Sequence, residues 1–278
     1  MMDASNIKLL AFDMDGTALN DAGKVTDRTR AALQAAADKG IMLVPATGRG
    51  FALLRDETLG IHDIEYAISA NGAILYEYAT STELMRAMIP WALAADLVDD
   101  LNCREVKFYL QLGDDNSSYF GSLYDFELFA PLEGKRVWRD NLEPDLAGKL
   151  REMKVDVAKI GVVYRWWERD LAAGMAHIAE RYPSLRAFRA ERESIEICDR
   201  GVSKGRALEQ LCLRLGIDPA DVCAVGDNGN DVSMIANVGL GVAMANGMDE
   251  AKAAARVVTD LTNDQDGLAD FLEKTFLR

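Results

Sequence analysis

Ile7-Lys8-Leu9-Leu10-Ala11-Phe12-Asp13-Met14-Asp15-Gly16-Thr17 is an apolar run that stops abruptly in two acids and a glycine. A run bounded this way reads as a buried parallel strand whose carboxyl end opens into a tight turn. That edge of an open α/β sheet is where ligands bind. Asp13 and Asp15 are two residues apart, so an extended backbone puts both side chains on one face. Two carboxylates so close are costly unless a cation lies between them or one keeps its proton. The chain therefore begins with a metal site or an acid/base pair.

Outward from this strand the chain alternates strand and helix. Asp27 to Lys39 reads as a helix stopped at Lys39-Gly40, and Ile41-Met42-Leu43-Val44 as the next buried strand, ending in Pro45-Ala46-Thr47-Gly48-Arg49. Phe51 to Leu59 reads as helical, and Tyr66-Ala67-Ile68-Ser69 as a third strand, ending in Ala70-Asn71-Gly72. The rhythm resumes late. Ser203 to Leu215 is a helix closed by Gly216, and Val222-Cys223-Ala224-Val225 is a strand ending in Gly226-Asp227. Asp231–Ala236 helix, Leu240–Ala243 strand, Glu250–Ala255 helix, a Val257-Val258 edge strand and a helix around Leu268–Leu272 complete the pattern. Strands separated by helices imply parallel pairing with right-handed crossovers.

The middle of the chain has another texture. It carries all four tryptophans (Trp91, Trp138, Trp166, Trp167) and alternating runs such as Lys107-Phe108-Tyr109-Leu110-Gln111-Leu112, mixed with helices over Trp91–Leu101 and Glu168–Tyr182. The expected architecture is α/β: a Rossmann-like parallel-sheet core over 1–84 and 191–278, with an α+β cap inserted over 85–190. The tryptophans belong to the cap's own core or a docking surface.

Composition narrows the function. With 31 basic and 45 acidic residues the formal charge is −14, which argues against nucleic acid and anionic membrane as partners. No apolar run reaches the roughly 20 residues of a membrane span, and Met1-Met2-Asp3-Ala4-Ser5 does not open a secretory signal. The four cysteines are scattered without metal-ligand spacing, so a cytoplasmic location is expected. Two histidines, His62 and His177, are read as structural. An acidic chain binds a phosphate locally, through a metal, a lysine and backbone N–H groups.

The strand ends supply those groups. Asp13 and Asp227 offer two carboxylates and the Asp15 carbonyl a third oxygen to Mg²⁺, a hard ion suited to carboxylates, water and a substrate phosphate. Asp231, one helical turn from Asp227, either ligates directly or orients a bound water. Asp13 can attack phosphorus as a nucleophile, and Asp15 can pass a proton to the leaving alcohol and take one from water. Thr47, Lys204 and Asn230 suit the phosphoryl oxygens, with Gly48 and Asn71 placed on the same phosphate side. Lys204 stands in the first turn of a helix, against the dipole, unless it faces an anion. Each residue has a plainer reading in isolation. Thr47 would cap a helix, Asn71-Gly72 would turn a hairpin, Lys204 would be solvated, and Asp231 would be a helix N-terminal acid. Arg49 either touches substrate or pairs with an acid, and Asn246 is either a turn residue or a support for the site.

Taken in order, Asp13-Met14-Asp15-Gly16-Thr17, Thr47-Gly48-Arg49, Lys204 and Gly226-Asp227-Asn228-Gly229-Asn230-Asp231 resemble the four motifs of the haloacid dehalogenase-like hydrolases. Asn71-Gly72-Ala73, Gly201-Val202-Ser203-Lys204-Gly205 and Ala243-Met244-Ala245-Asn246 resemble, more narrowly, the Cof-type phosphatases, whose large cap is inserted between the second and third motifs. Met14 and Ala18 depart from the usual residues without replacing a reacting group. The resemblance implies a Mg²⁺-dependent phosphatase forming an aspartyl-phosphate on Asp13, with Asp15 as acid/base, Thr47, Lys204 and Asn230 on phosphate, and Asp227 on the metal. Its substrate would be a small phosphorylated metabolite: a sugar phosphate, a phosphorylated flavin precursor or pyridoxal phosphate. The rival expectations are a phosphomutase of the same fold and a non-catalytic phospho-ligand sensor. Neither the metabolite nor the oligomeric state is written in these motifs.

Overall fold

Leu9–Phe12 forms the first strand, β1, with all four side chains fully buried. A computed structural model describes residues 6–58, 60–103, 106–112, 118–120, 143–164, 171–191 and 194–277. Along the chain β1 is followed by β2 (Met42–Pro45), β3 (Tyr66–Ser69), β4 (Ile74–Glu77) and β5 (Thr82–Arg86). Next come β6 (Val106–Gln111), β7 (Ser118–Phe120), β8 (Lys159–Tyr164), β9 (Leu185–Glu191) and β10 (Ser194–Asp199). The last are β11 (Val222–Gly226), β12 (Leu240–Ala243) and β13 (Val257–Val258). The chain divides into two units, Met1–Arg86 with Val202–Arg278, and Ala87–Gly201.

In the first unit five strands pair in parallel in the order β13-β12-β11-β1-β2. β1 lies inside the sheet between β11 and β2 and is covered on both faces, so it must be apolar throughout. The helix Lys204–Leu215 lays Ala207, Leu208, Leu211 and Cys212 against Leu9, Ala11, Val44, Val222 and Ala224. Each such fully buried Leu or Val contributes about 1.5–3 kcal/mol. Register decides where the chemistry falls. Phe12 pairs with Pro45 and Val225, and Gly226 pairs with Ala243. The residues that follow, Asp13, Ala46-Thr47, Asp227 and Met244, therefore leave the sheet at one edge.

The third strand differs from expectation. β3 touches β2 through the parallel bridges Leu43–Ile64 and Ala46–Ile68, but its ladder is antiparallel to β4, and β5 completes a three-stranded ribbon. The cause is local. Ala70, Asn71 and Gly72 all take positive φ (48°, 60° and 95°), which turns the chain back on itself immediately after the strand. The plain reading of Asn71-Gly72 as a hairpin turn thus describes the backbone, and β4 and β5 lie beyond what the sequence foretold.

The second unit is an antiparallel sheet, β7-β6-β8-β10-β9. The alternation in β6 places Phe108 and Leu110 in a core with Ile160, Val162, Ile195 and Ile197 and with the helices Trp91–Asn102, Leu146–Met153 and Leu171–Arg181. β10 pairs with β8 and β9, so this unit runs to Gly201, beyond the Ala190 at which the sequence drew the edge. Trp91 opens a helix, whereas Trp138, Trp166 and Trp167 lie outside the described residues. His177 packs its Nε2 against Asp100 in this unit. Among the described residues no helix is long and apolar enough to cross a membrane.

Candidate active site

The site grows from the turn after β1. The Asp13 N–H donates to the Val225 carbonyl at 2.9 Å, which continues the β1–β11 ladder by one residue. The chain then makes a wide turn closed by Ala18 N–H to Asp13 carbonyl and Leu19 N–H to Met14 carbonyl, at 3.3 and 2.8 Å. Gly16 takes φ +73°, and a Cβ there would sit 2.4 Å from Asp227 Oδ2. Only glycine allows this turn to pass beneath the Asp227 carboxylate. Thr17 then donates from Oγ1 to Asp227 Oδ1 at 3.1 Å.

Lys204 joins the two halves of the motif set. It is wholly buried, and its Nζ donates to Asp13 Oδ1 at 2.6 Å and to Asp231 Oδ1 at 2.7 Å. The helix it opens is capped by Ser203, whose hydroxyl accepts the Arg206 N–H at 3.1 Å. The lysine is therefore aimed inward at anions and is not solvated. Asp231 Oδ2 accepts the backbone N–H groups of Asp227 and Asn228 at 2.9 and 3.0 Å. Those bonds hold the Asp227 loop, and both oxygens of Asp231 are engaged.

Carboxylate oxygens of Asp13, Asp227 and Asp231 lie within 4.8 Å of one another. Three carboxylates and one ammonium leave a formal 1 − 3 = −2 in a buried pocket. Burial first, and then the charge of Asp231, hold the Asp13 carboxyl well above the usual range, against the opposing pull of Lys204. The same two causes push Asp227 up to about 7, opposed by Lys204 and by the Thr17 hydrogen bond. Burial alone would lower Lys204, but Asp13 and Asp231 raise it, so it stays charged. An all-oxygen, doubly negative donor set of this kind fits a hard divalent cation.

Asp15 sits apart from this group. Its carboxylate is about half exposed and is gripped by Arg49, with Nε donating to Oδ2 at 2.8 Å and Nη2 to Oδ1. Of the two readings of Arg49, pairing with an acid is the one seen. Thr47 is buried, and its Oγ1 accepts the Arg49 N–H at 3.1 Å. Gly50, not Thr47, stands at the start of the helix Phe51–Glu57. The loop Thr47-Gly48-Arg49 is laced to the β3 turn, because Asn71 N–H donates to the Thr47 carbonyl at 3.0 Å and Ala70 N–H to the Arg49 carbonyl at 2.9 Å. Asn230 Nδ2 donates to Asn71 Oδ1 at 3.0 Å, which leaves Asn230 Oδ1 buried without a partner among the described residues. Gly72 packs so closely on the Lys204 helix that a Cβ would lie 2.3 Å from the Ser203 carbonyl.

Asp13, Lys204, Asp227 and Asp231 are thus in direct contact or within one cluster, and Asn71 and Asn230 form a linked pair. Two contacts carry no sequence signal that was used. One is the Thr17 bond, although a hydroxyl after Asp-x-Asp-Gly is a natural donor to a neighbouring acid. Asn246 donates from Nδ2 to the Gly16 carbonyl at 2.8 Å, which sequence spacing alone cannot disclose.

Comparison with known proteins places these contacts in context. A family model described as haloacid dehalogenase-like hydrolase matches residues 10–272. The 5-amino-6-(5-phospho-D-ribitylamino)uracil phosphatase YcsE of Bacillus subtilis is 28% identical over 264 residues, covering 95% of this chain and 94% of that one. A haloacid dehalogenase-like hydrolase from B. subtilis superposes with TM-score 0.79 at 27% identity, covering 96% of this chain and 99% of that one. The subclass IIB sugar phosphatase BT4131 shares the fold, with TM-score 0.78 at 21% identity over 96% and 98% of the two chains.

Proposed function

Because this chain belongs to the haloacid dehalogenase-like hydrolases, we propose that it is a Mg²⁺-dependent phosphatase that cleaves the phosphate monoester of a small metabolite through an aspartyl-phosphate on Asp13. The observation that supports this most directly is the buried Lys204 ammonium held between Asp13 and Asp231, with Asp227 in the same carboxylate group. A Mg²⁺ held by Asp13, Asp227 and the Asp15 carbonyl would offset the charge of both phosphate and nucleophile. We assign Asp231 to orientation, since its oxygens already take one lysine and two backbone donors.

The chain's own groups supply the rest. Asp13 attacks phosphorus, the P–O bond to the leaving alcohol breaks, and Asp15 delivers the proton to that oxygen. Asp15 then takes a proton from water, whose oxygen attacks phosphorus, and this frees inorganic phosphate and the Asp13 carboxylate. Lys204 both orients Asp13 and faces the phosphoryl group. Thr47, the Gly48 segment and the Asn71–Asn230 pair complete the contacts to the equatorial oxygens, where charge spreads in a loose transition state. Asn230 Oδ1, without a partner among the described residues, belongs to an amide whose Nδ2 serves Asn71, so rotation of that amide would present a donor to phosphate in exchange for the Asn71 bond. Substrates to be expected are sugar phosphates and phosphorylated ribityl compounds.

The test is a phosphate-release screen of the purified protein on such a panel, with Mg²⁺ and with EDTA. Release that needs Mg²⁺ supports the proposal. No release from any monoester would sink it, and an isomerised phosphate ester in place of free phosphate would point to a mutase.

A further inference from the structure

Asn246 follows β12 in Met244-Ala245-Asn246-Gly247, and its side chain spans two distant segments. Its Nδ2 donates to the Gly16 carbonyl at 2.8 Å, and its Oδ1 accepts the Asn263 N–H at 3.0 Å. Asn263 in turn donates from Nδ2 to the Leu19 carbonyl at 3.0 Å and to Asp21 Oδ1 at 3.1 Å. The turn that carries Asp15 is therefore held at Gly16 and at Leu19 from the C-terminal part of the chain.

The Gly16 carbonyl is a consequential place to hold. Gly16 lies against the Asp227 carboxylate, and the next residue, Thr17, donates to Asp227 Oδ1 at 3.1 Å. The loop containing Asn246 also grips Asp227 by its backbone, since Met248 N–H donates to the Asp227 carbonyl at 2.8 Å. One five-residue loop thus touches both acid-bearing segments and none of the reacting atoms. The Asn246 bond falls on the carbonyl of the planar Gly16–Thr17 peptide, and the Thr17 side chain that leaves this peptide carries the Oγ1 that donates to Asp227.

We infer that Asn246 is a positioning residue: by fixing the Gly16–Thr17 peptide it sets the separation of the Asp13 and Asp227 carboxylates. The inference rests on the phosphatase proposal above and adds a residue that touches neither substrate nor metal. Outer groups that orient ligands in this way are worth about 10–100-fold in activity or metal affinity, and a shift of about 1 Å at a reacting group costs about 10²-fold. Asn246 is itself exposed, so its replacement leaves the packed core untouched.

The variants are Asn246→Asp, which keeps the acceptor for Asn263 and turns an anionic oxygen toward the Gly16 carbonyl, and Asn246→Ala, which adds no charge. Asn20→Ala serves as the control, because among the described residues Asn20 Oδ1 accepts only the Ala22 and Lys24 N–H groups in the adjoining turn. With p-nitrophenyl phosphate as probe, both Asn246 variants should lose about 10–100-fold in kcat with KM changed less than about threefold. Calorimetry with Mg²⁺ alone should show affinity weakened by about tenfold, while Asn20→Ala stays near the parent protein. Unchanged kcat and Mg²⁺ affinity in both variants overturn the inference, as does an equal loss in Asn20→Ala. Should the parent protein release no phosphate, the functional proposal fails by itself and the Mg²⁺ titration still decides the role of Asn246.

Discussion

Lys204 donates to Asp13 at 2.6 Å across 191 residues of sequence, with no exposed surface of its own. The pair ties the strand that opens the chain to the helix that resumes the first unit after the insertion. Removing one partner of a buried ion pair leaves the other without compensation and costs about 3–5 kcal/mol. Lys204→Ala should accordingly lower the melting temperature of the metal-free protein and cut phosphatase activity. Mg²⁺ should restore part of the stability, since it supplies positive charge to the same carboxylates. Thermal melts with and without Mg²⁺ check this, and an unchanged metal-free melt would count against the pairing.

Asp13→Asn separates chemistry from stability. The amide cannot act as the nucleophile, so kcat should fall by at least about 10³-fold. The same change removes one of three clustered negative charges, so the metal-free fold should melt at the same or a higher temperature. A variant that loses activity by unfolding would argue that Asp13 is structural.

Asp227 provides a pH dependence. Its carboxyl is held up to about 7 in the folded chain, against 3.8 for an ordinary aspartate. A raised acid favours the folded state where it is protonated, so its contribution is fully present below about pH 4 and is lost as pH rises through about 7. Metal-free protein should lose stability over that window. Mg²⁺ competes with the proton, so the Mg²⁺-induced rise in melting temperature should grow from pH 6 to pH 8. In Asp227→Asn the growth should shrink, with the part that belongs to Asp13 remaining.

Arg49 meets Asp15 through two guanidinium donors. A lysine offers one point charge where the fork offers two directed bonds. Arg49→Ala should lower kcat by about 10–100-fold if Asp15 needs this hold, and Arg49→Lys should recover only a fraction. Steady-state kinetics that find kcat unchanged in Arg49→Ala would show that Asp15 is placed by other contacts.

Gly72→Ala tests the frame behind the site. The substitution imposes a side chain at φ +95° and drives a Cβ to 2.3 Å from the Ser203 carbonyl. Backbone strain alone costs about 1–3 kcal/mol, and the clash pushes the Asn71 turn from the Lys204 helix. Denaturant unfolding should register the loss, and phosphatase activity should fall with it.

Much of the fold was open to reading because local pattern and burial agree. Leu9–Phe12 and Val222–Val225 are apolar at every position because both faces of a central parallel strand are covered. The helix from Lys204 shows Ala207, Leu208 and Leu211 at one-face spacing because that face meets the sheet. The β4–β5 ribbon was missed because three successive positive φ values at Ala70, Asn71 and Gly72 reverse the chain, and Ala70 gives no hint of such a conformation. The strand Ser194–Asp199 joins β8 and β9, past the boundary expected at 190, because an apolar alternating strand does not announce which sheet it will join. At the site, Asp13, Thr47, Lys204 and Asp227 stood out through their positions at strand ends and helix starts. The pairing of Arg49 with Asp15, the Thr17 bond and the Asn246 bridge depend on loop paths that no periodicity encodes.

The sequence by itself determined the kinds of groups available and their order: carboxylates after two apolar strands, a threonine after a third, a lysine at a helix start. Those follow from short-range rules of burial, turning and capping, which act within a few residues. Tertiary structure alone decided which carboxylate faces the ammonium, which accepts the backbone donors and which is held by Arg49. Such choices are made by contacts between segments tens to hundreds of residues apart, where a shift of one residue in register redirects a side chain to the other face.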